Sequence, residues 1–146
     1  MLGQYYKTWN GQQCDFIGAL DLYTVGEKER MIGNYMYQCD ASDQELVVVG
    51  FENHSGKTYL GSNVRPMGKI LSGYGNNGKD KDRGARVIKN VFATYSHGPL
   101  LPKNPKLADL ILKTALVRKY PNIDLEELDD TFENNAHDYM QHRLHG

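Results

Sequence analysis

The sequence predicts an α/β fold, and three observations carry that prediction. Between Gly18 and Gly75, short β-type runs are punctuated by Gly26, Gly33, Gly50, Gly56 and Gly61. Beyond Asn104 the apolar residues change to helical spacing, first in Leu107, Leu110, Ile111, Ala115 and Leu116, then in Leu125, Leu128, Phe132, Ala136, Tyr139 and Met140. The length of 146 residues suits one compact domain, with residues 122–146 as a C-terminal helix appended to it.

Taken in order, Met1 to Thr8 reads as a helix fragment, since Leu2, Tyr5 and Tyr6 share a helical face before the Asn10-Gly11 turn. This pattern begins without a capping residue, which predicts a preceding segment. Strands are expected over Arg30 to Tyr37 and Leu46 to Phe51; the run Leu46-Val47-Val48-Val49 suits a strand buried on both faces. Tyr74 to Gly84 is polar and rich in Gly and Asn, so it is expected to be a surface loop. A further strand, Arg86 to Tyr95, delivers His97 to its C-terminal end. Asn104 then caps a helix with Pro105 in its first turn, which Tyr120-Pro121 stops, and a second helix starts near Asp124 in a stretch dense in Asp and Glu.

The totals narrow the function. Hydrophobic residues at 40% and charged residues at 24% are those of an ordered globular chain. A formal charge of −1 gives no global field for nucleic acid or anionic membranes. No run approaches the roughly 18 apolar residues of a membrane span, and no basic segment precedes an apolar one at the N-terminus, so a cytoplasmic location is expected. Cys14 and Cys39 lack CxxC or Cys/His ligand spacing and read as reduced structural thiols. His137, His142 and His145 do not share one helical stripe, so no metal site is expected there. The basic cluster Lys79, Lys81, Arg83 and Arg86 is interrupted by Asp80 and Asp82 and reads as a solvated loop.

The segment richest in chemistry is Ala93-Thr94-Tyr95-Ser96-His97-Gly98-Pro99-Leu100-Leu101-Pro102-Lys103-Asn104-Pro105. His97 closes a predicted strand on a loop stiffened by three prolines, a position where ligands bind in open α/β sheets. Histidine is the residue type best suited to accept and return a proton near neutrality, although a histidine in such a place also serves as a cap or a packing residue. Glu52 and His54 alternate in one strand and share a face. They suit either an acid–base pair or, the preferred reading, a buried pair that braces the sheet. Asn76 and Asn77, beside Gly75 and Gly78, suit a backbone cradle for a ligand or ordinary hairpin chemistry.

Gly50-Phe51-Glu52-Asn53-His54-Ser55-Gly56 resembles the Gly-(Phe/Tyr)-Glu-x-His-x-Gly motif of the cobyric acid synthase-like class I glutamine amidotransferases. Tyr74-Gly75-Asn76-Asn77, Lys89-Asn90 and Thr94-Tyr95-Ser96-His97-Gly98-Pro99 followed by Leu101-Pro102-Lys103-Asn104 resemble the branch that serves peptidoglycan amidation. The resemblance covers most of residues 1 to 120, and the blocks occur together and in order. It implies a Rossmann-like class I amidotransferase fold, N-terminally incomplete here and so exposing a sheet edge.

The resemblance also implies an activity. A cysteine attacks the side-chain amide of L-glutamine, a histidine relays the proton, and ammonia passes to a partner. His97 is then the catalytic histidine and Arg30 the residue for the α-carboxylate of glutamine, although a solvated arginine suits Arg30 equally. Glu52, His54, Asn76 and Asn77 become structural neighbours of the site. Met1-Leu2-Gly3-Gln4-Tyr5-Tyr6 resembles the helix after the family's nucleophile turn, which places the cysteine upstream of Met1 and makes the chain inactive alone. Neither Cys14 nor Cys39 has the strand, small-residue turn and helix of such an elbow. Pro99 stands where many class I members carry the Glu that orients the histidine, leaving that task to a backbone carbonyl or to Glu52.

On this reading the chain is a glutaminase subunit supplying ammonia to convert the D-glutamate of lipid II to D-isoglutamine. It works as a heterodimer with a Mur ligase-like, ATP-dependent synthetase and needs no cofactor. The alternatives are a cobyrinate or cobyric acid amidotransferase fragment and a non-catalytic scaffold module.

Overall fold

A computed structural model describes residues 2–41, 45–80, 86–88 and 90–145. In chain order the elements are β1 (Tyr5–Lys7), β2 (Gln13–Asp15), β3 (Leu22–Cys39), β4 (Leu46–Leu60), β5 (Gly68–Ser72), β6 (Arg86–Ile88), β7 (Val91–Ala93), β8 (Ser96–His97), α1 (Pro105–Leu116) and α2 (Thr131–His145). The class is α/β, as predicted: a mixed sheet runs β2-β1-β3-β4-β8, with β5 also paired to β3, and β6 and β7 form a small separate ribbon. Within it β1 lies parallel to β3, and β3 pairs antiparallel with β4 and β5.

The predicted strands Arg30 to Tyr37 and Leu46 to Phe51 lie inside β3 and β4, which together form a long hairpin from Leu22↔Leu60 to Cys39↔Leu46. Residues directly opposite each other share a face. Tyr35, Tyr37 and Cys39 therefore stand with Leu46, Val48, Gly50 and Glu52, and this face carries the core, closed by Met67, Ile70 and Leu107 of α1. Burying each such apolar side chain contributes about 1.5–3 kcal/mol. Leu110 and Ile111 pack partly against this cluster, as the helical spacing predicts.

Four expectations are corrected. Residues 5–7 form a strand, not part of a helix: Tyr5 pairs with Asp15 and Tyr6 with Thr24, while the Gln4 N–H reaches Leu22 O at 2.7 Å. Three apolar positions were too few to define a period, and aromatic residues fit the pleated surface that β3 offers. The expected turn remains, with Gly11 at φ 94° closing the hairpin.

The expected strand Arg86 to Tyr95 is instead the β6–β7 hairpin, with Ile88 opposite Val91, followed by β8. The second helix starts at Thr131, seven residues after Asp124, where Asp129 Oδ1 accepts hydrogen bonds from the Thr131 N–H at 3.2 Å and hydroxyl at 2.5 Å. Leu128 is 75% exposed, so the apolar spacing that suggested an earlier start finds no core to bury it. In the expected surface loop, Gly75, Asn76 and Asn77 are buried. Lys81 to Gly84, with Lys81 and Arg83 of the basic cluster, and Lys89 of the Lys89-Asn90 block lie outside the described residues. No helix among the described residues is long and apolar enough to cross a membrane.

Candidate active site

His97 sits on β8, the short strand at one edge of the sheet, directly opposite Phe51. Its neighbour Ser96 lies opposite Glu52 and therefore faces the core. There the Tyr35 hydroxyl hydrogen-bonds Ser96 Oγ and, at 2.8 Å, Thr94 Oγ1. Tyr35 is opposite Gly50 on β4, and a Cβ at Gly50 would stand 3.0 Å from its ring and 3.1 Å from Ser96 Oγ. Glycine here lets the tyrosine cross β4 to reach the edge strand. Burial raises the Tyr35 pKa, which keeps the hydroxyl neutral. With Ser96 held inward, alternation turns His97 to the opposite face, where it is exposed.

The loop after His97 is held at its far end as well. Gly98 turns it at φ 75°, a conformation glycine adopts without strain. Asn104 occupies the helix N-cap position, but its side chain makes no cap hydrogen bond. The expected cap is thus corrected, because its amide completes the ladder at the β4 edge. Oδ1 accepts from the Val49 N–H at 2.8 Å, and Nδ2 donates to Val49 O at 2.8 Å and Leu100 O at 2.7 Å. Asn104 is 1% exposed, and Asn104→Ala would strand these three backbone groups. We expect a loss of about 2–4 kcal/mol in chemical denaturation, since each buried orphan costs roughly 1–3 kcal/mol.

Arg30 lies in the irregular segment of β3 between Gly26 and Met31, where the register with β4 shifts. Its guanidinium forks onto Asn53: Nε and Nη2 donate to Oδ1 at 2.9 and 2.6 Å, and Nη2 also donates to the Asn53 carbonyl at 3.3 Å. Asn53 shares its face with Phe51 and therefore with His97. The structure thus gathers Arg30, Asn53 and His97 on one open face. Asn53 was missed in the sequence, although strand alternation places it on the face opposite Glu52 and His54.

Glu52 and His54 belong to the other face. Glu52 is fully buried, and its oxygens accept the N–H groups of Tyr74 at 2.7 Å and Gly75 at 3.0 Å. His54 Nε2 stands 3.6 Å from Glu52 Oε2 and has no hydrogen-bond partner among the described residues, while Nδ1 donates to Gly56 O at 2.8 Å. The His54 ring stacks on Tyr95 at 3.7 Å. With both oxygens engaged and its face turned away, Glu52 does not orient His97. Asn77 is a turn residue: Oδ1 accepts from the Lys79 and Asp80 N–H groups, and Nδ2 donates to Thr58 O at 3.2 Å. Asn76 O accepts the Thr58 N–H, and Asn76 lines an apolar groove of about 300 Å³ with Thr58 and Tyr95.

The two thiols are placed apart from His97. Cys14 is exposed on β2, at the opposite edge of the sheet, four strand spacings of about 4.8 Å away. Cys39 is buried in the core on the Glu52 face, and burial raises its pKa. A thiol reagent is therefore expected to modify Cys14 in the folded protein and Cys39 only on unfolding, as one and two labels by mass spectrometry.

Comparison with known proteins adds the following. A profile of the CobB/CobQ-like glutamine amidotransferase domain matches residues 1–105. The chain is 38% identical over 135 residues to subunit GatD of the glutamine-hydrolysing lipid II isoglutaminyl synthase of Staphylococcus aureus, covering 92% of this chain and 53% of that one. It is 36% identical over 132 residues to the same subunit of Streptococcus pneumoniae, covering 89% of this chain and 50% of that one. A probable cobyric acid synthase of Methanococcus maripaludis is 34% identical over 86 residues, 58% of this chain and 17% of that one. The chain spans about half the length of the two GatD relatives.

Proposed function

The chain belongs to the CobB/CobQ-like glutamine amidotransferase domains, and from that premise we propose that it supplies the acid–base histidine, His97, and the carboxylate-binding arginine, Arg30, of a glutaminase. The carrying observation is that both ends of the His97 loop are anchored while its ring is left on the open face that Arg30 shares. Such a face can position an amino acid between a cation for its α-carboxylate and a base for its side-chain amide.

In the proposed reaction a thiolate attacks the glutamine carboxamide carbon. The C–N bond breaks, His97 gives its proton to the departing amine, and a thioester and ammonia result. His97 then takes a proton from water, whose oxygen attacks the thioester and releases glutamate and the thiol. The distance of Cys14 from the His97 edge and the burial of Cys39 support a nucleophile that neither of them supplies. Similarity to the two GatD subunits supports lipid II as the destination of the ammonia, through a cytoplasmic, ATP-using synthetase of Mur ligase type that amidates its D-glutamate.

The test combines this chain with the cysteine-bearing N-terminal half of a GatD relative and supplies the assembly with the synthetase, ATP, amide-¹⁵N-glutamine and both lipid II and a corrinoid acceptor. The proposal expects ammonia release and ¹⁵N in the lipid II carboxamide. Label in a corrinoid acceptor instead would favour the cobyric acid branch, and no ammonia release would leave a scaffold.

A further inference from the structure

We propose that Asn53 is a positioning residue that aims the Arg30 guanidinium at the His97 side of the sheet and thereby sets selectivity for a free α-carboxylate. This inference rests on the glutamine-binding role of Arg30 proposed above.

Three observations lead to it. Asn53 is the diagonal cross-strand neighbour of His97, because Phe51 lies directly opposite the histidine. Such diagonal neighbours lie about 7–8 Å apart. Arg30 projects from the one irregular stretch of the β3–β4 ladder, where regular pairing does not set its direction. The Asn53 amide oxygen and carbonyl together hold Nε and Nη2, the side-on edge of the guanidinium. Among the described residues, Nη1 has no partner, so its two N–H groups remain for a ligand carboxylate. The acceptor is also neutral. An asparagine directs the guanidinium without cancelling its charge, whereas an aspartate there would form the stronger pair and compete with the ligand.

The contrast between two variants supplies a readout that a purely structural role would not give. In the glutamine-hydrolysing assembly, Asn53→Ala is expected to raise KM for L-glutamine about 10-fold with kcat within about 3-fold, as for loss of a ground-state contact. Hydrolysis of L-glutaminamide, whose α-carboxylate is an amide, should change little, so discrimination between the two substrates falls. Asn53→Asp is expected to preserve or raise the melting temperature and still raise KM for L-glutamine about 10-fold or more.

Arg30→Ala is the control. If it raises KM and both Asn53 variants leave KM and the substrate ratio within about 2-fold of the parent, the positioning role is overturned and the role of Arg30 stands. If Arg30→Ala leaves KM unchanged, both fall.

Discussion

Glu52→Ala is expected to lower the stability of the folded chain by about 3–5 kcal/mol, since two buried backbone donors are orphaned at roughly 1–3 kcal/mol each and a cavity is left behind. The carboxylate is fully buried and accepts the Tyr74 and Gly75 N–H groups. Alanine would leave both donors without acceptors, open a cavity beside His54, and release the connection from β5 into the Asn76-Asn77 turn. Glu52→Gln, which keeps one carbonyl acceptor, should lose less, about 1–3 kcal/mol. Chemical denaturation of the three proteins checks this order. The ranking matters because a catalytic Glu52 would show the reverse pattern, a large loss of turnover in Glu52→Gln with little loss of stability.

The approach of the chain to Glu52 also explains why Gly73 is a glycine. Its φ is 95°, and a Cβ there would overlap the Tyr35 Cβ and stand 2.8 Å from Glu52 Oε1. This contact was not legible in the sequence, because it joins residues 21 positions apart through a turn whose path depends on the sheet. Glu52 and His54 were legible as a same-face pair, since alternation needs only the strand. Both side chains are buried on that face, but His54 Nε2 stands 3.6 Å from Glu52 Oε2 without a hydrogen bond, and the Tyr74 and Gly75 N–H groups hold Glu52 instead.

Elsewhere the sequence was most informative where a period ran long enough. Leu107, Leu110 and Ile111 marked α1, and Leu46 to Val49 marked the centre of β4. It misled where the period was short or had nothing to pack against. Tyr5 and Tyr6 have neighbours only once β3 and β2 flank them. Phe132 and Tyr139 keep helical spacing yet are 83% and 64% exposed, so the spacing of α2 does not mark a core. Arg86 to Tyr95 carries the pattern of one strand, because pairing of β6 with β7 rather than with the main sheet is a tertiary outcome.

In the site, the motif around His97 was visible, but the reason for its position was not. That reason is divided between Tyr35, reaching over Gly50, and Asn104, bonded to Val49, each separated in sequence by more than 50 residues from what it holds. Asn53 was hidden for a different cause. It lies between two more conspicuous residues, and its partner Arg30 comes from a bulged segment whose side-chain direction does not follow alternation.

The second large effect concerns His97 itself. Its side chain is exposed and makes no hydrogen bond among the described residues, so His97→Asn should alter stability by no more than about 0.5 kcal/mol. If the imidazole protonates the leaving amine and then activates water, the same change removes both proton transfers. Such residues contribute about 10²–10⁴-fold singly and more when they act as a unit with a nucleophile. The expected signature is a folded, glutamine-binding assembly that fails in chemistry. Arg30→Ala should do the opposite, weakening KM while preserving more of kcat.

The decisive measurement is therefore the rate of ammonia release at saturating L-glutamine by the thiol-bearing assembly, with His97 and with His97→Asn. A fall in kcat of about 10³-fold or more is expected, with KM changed by less than about 3-fold. A variant that keeps more than about a tenth of the parent kcat would contradict it, since a positioned acid–base residue contributes about 10²–10⁴-fold.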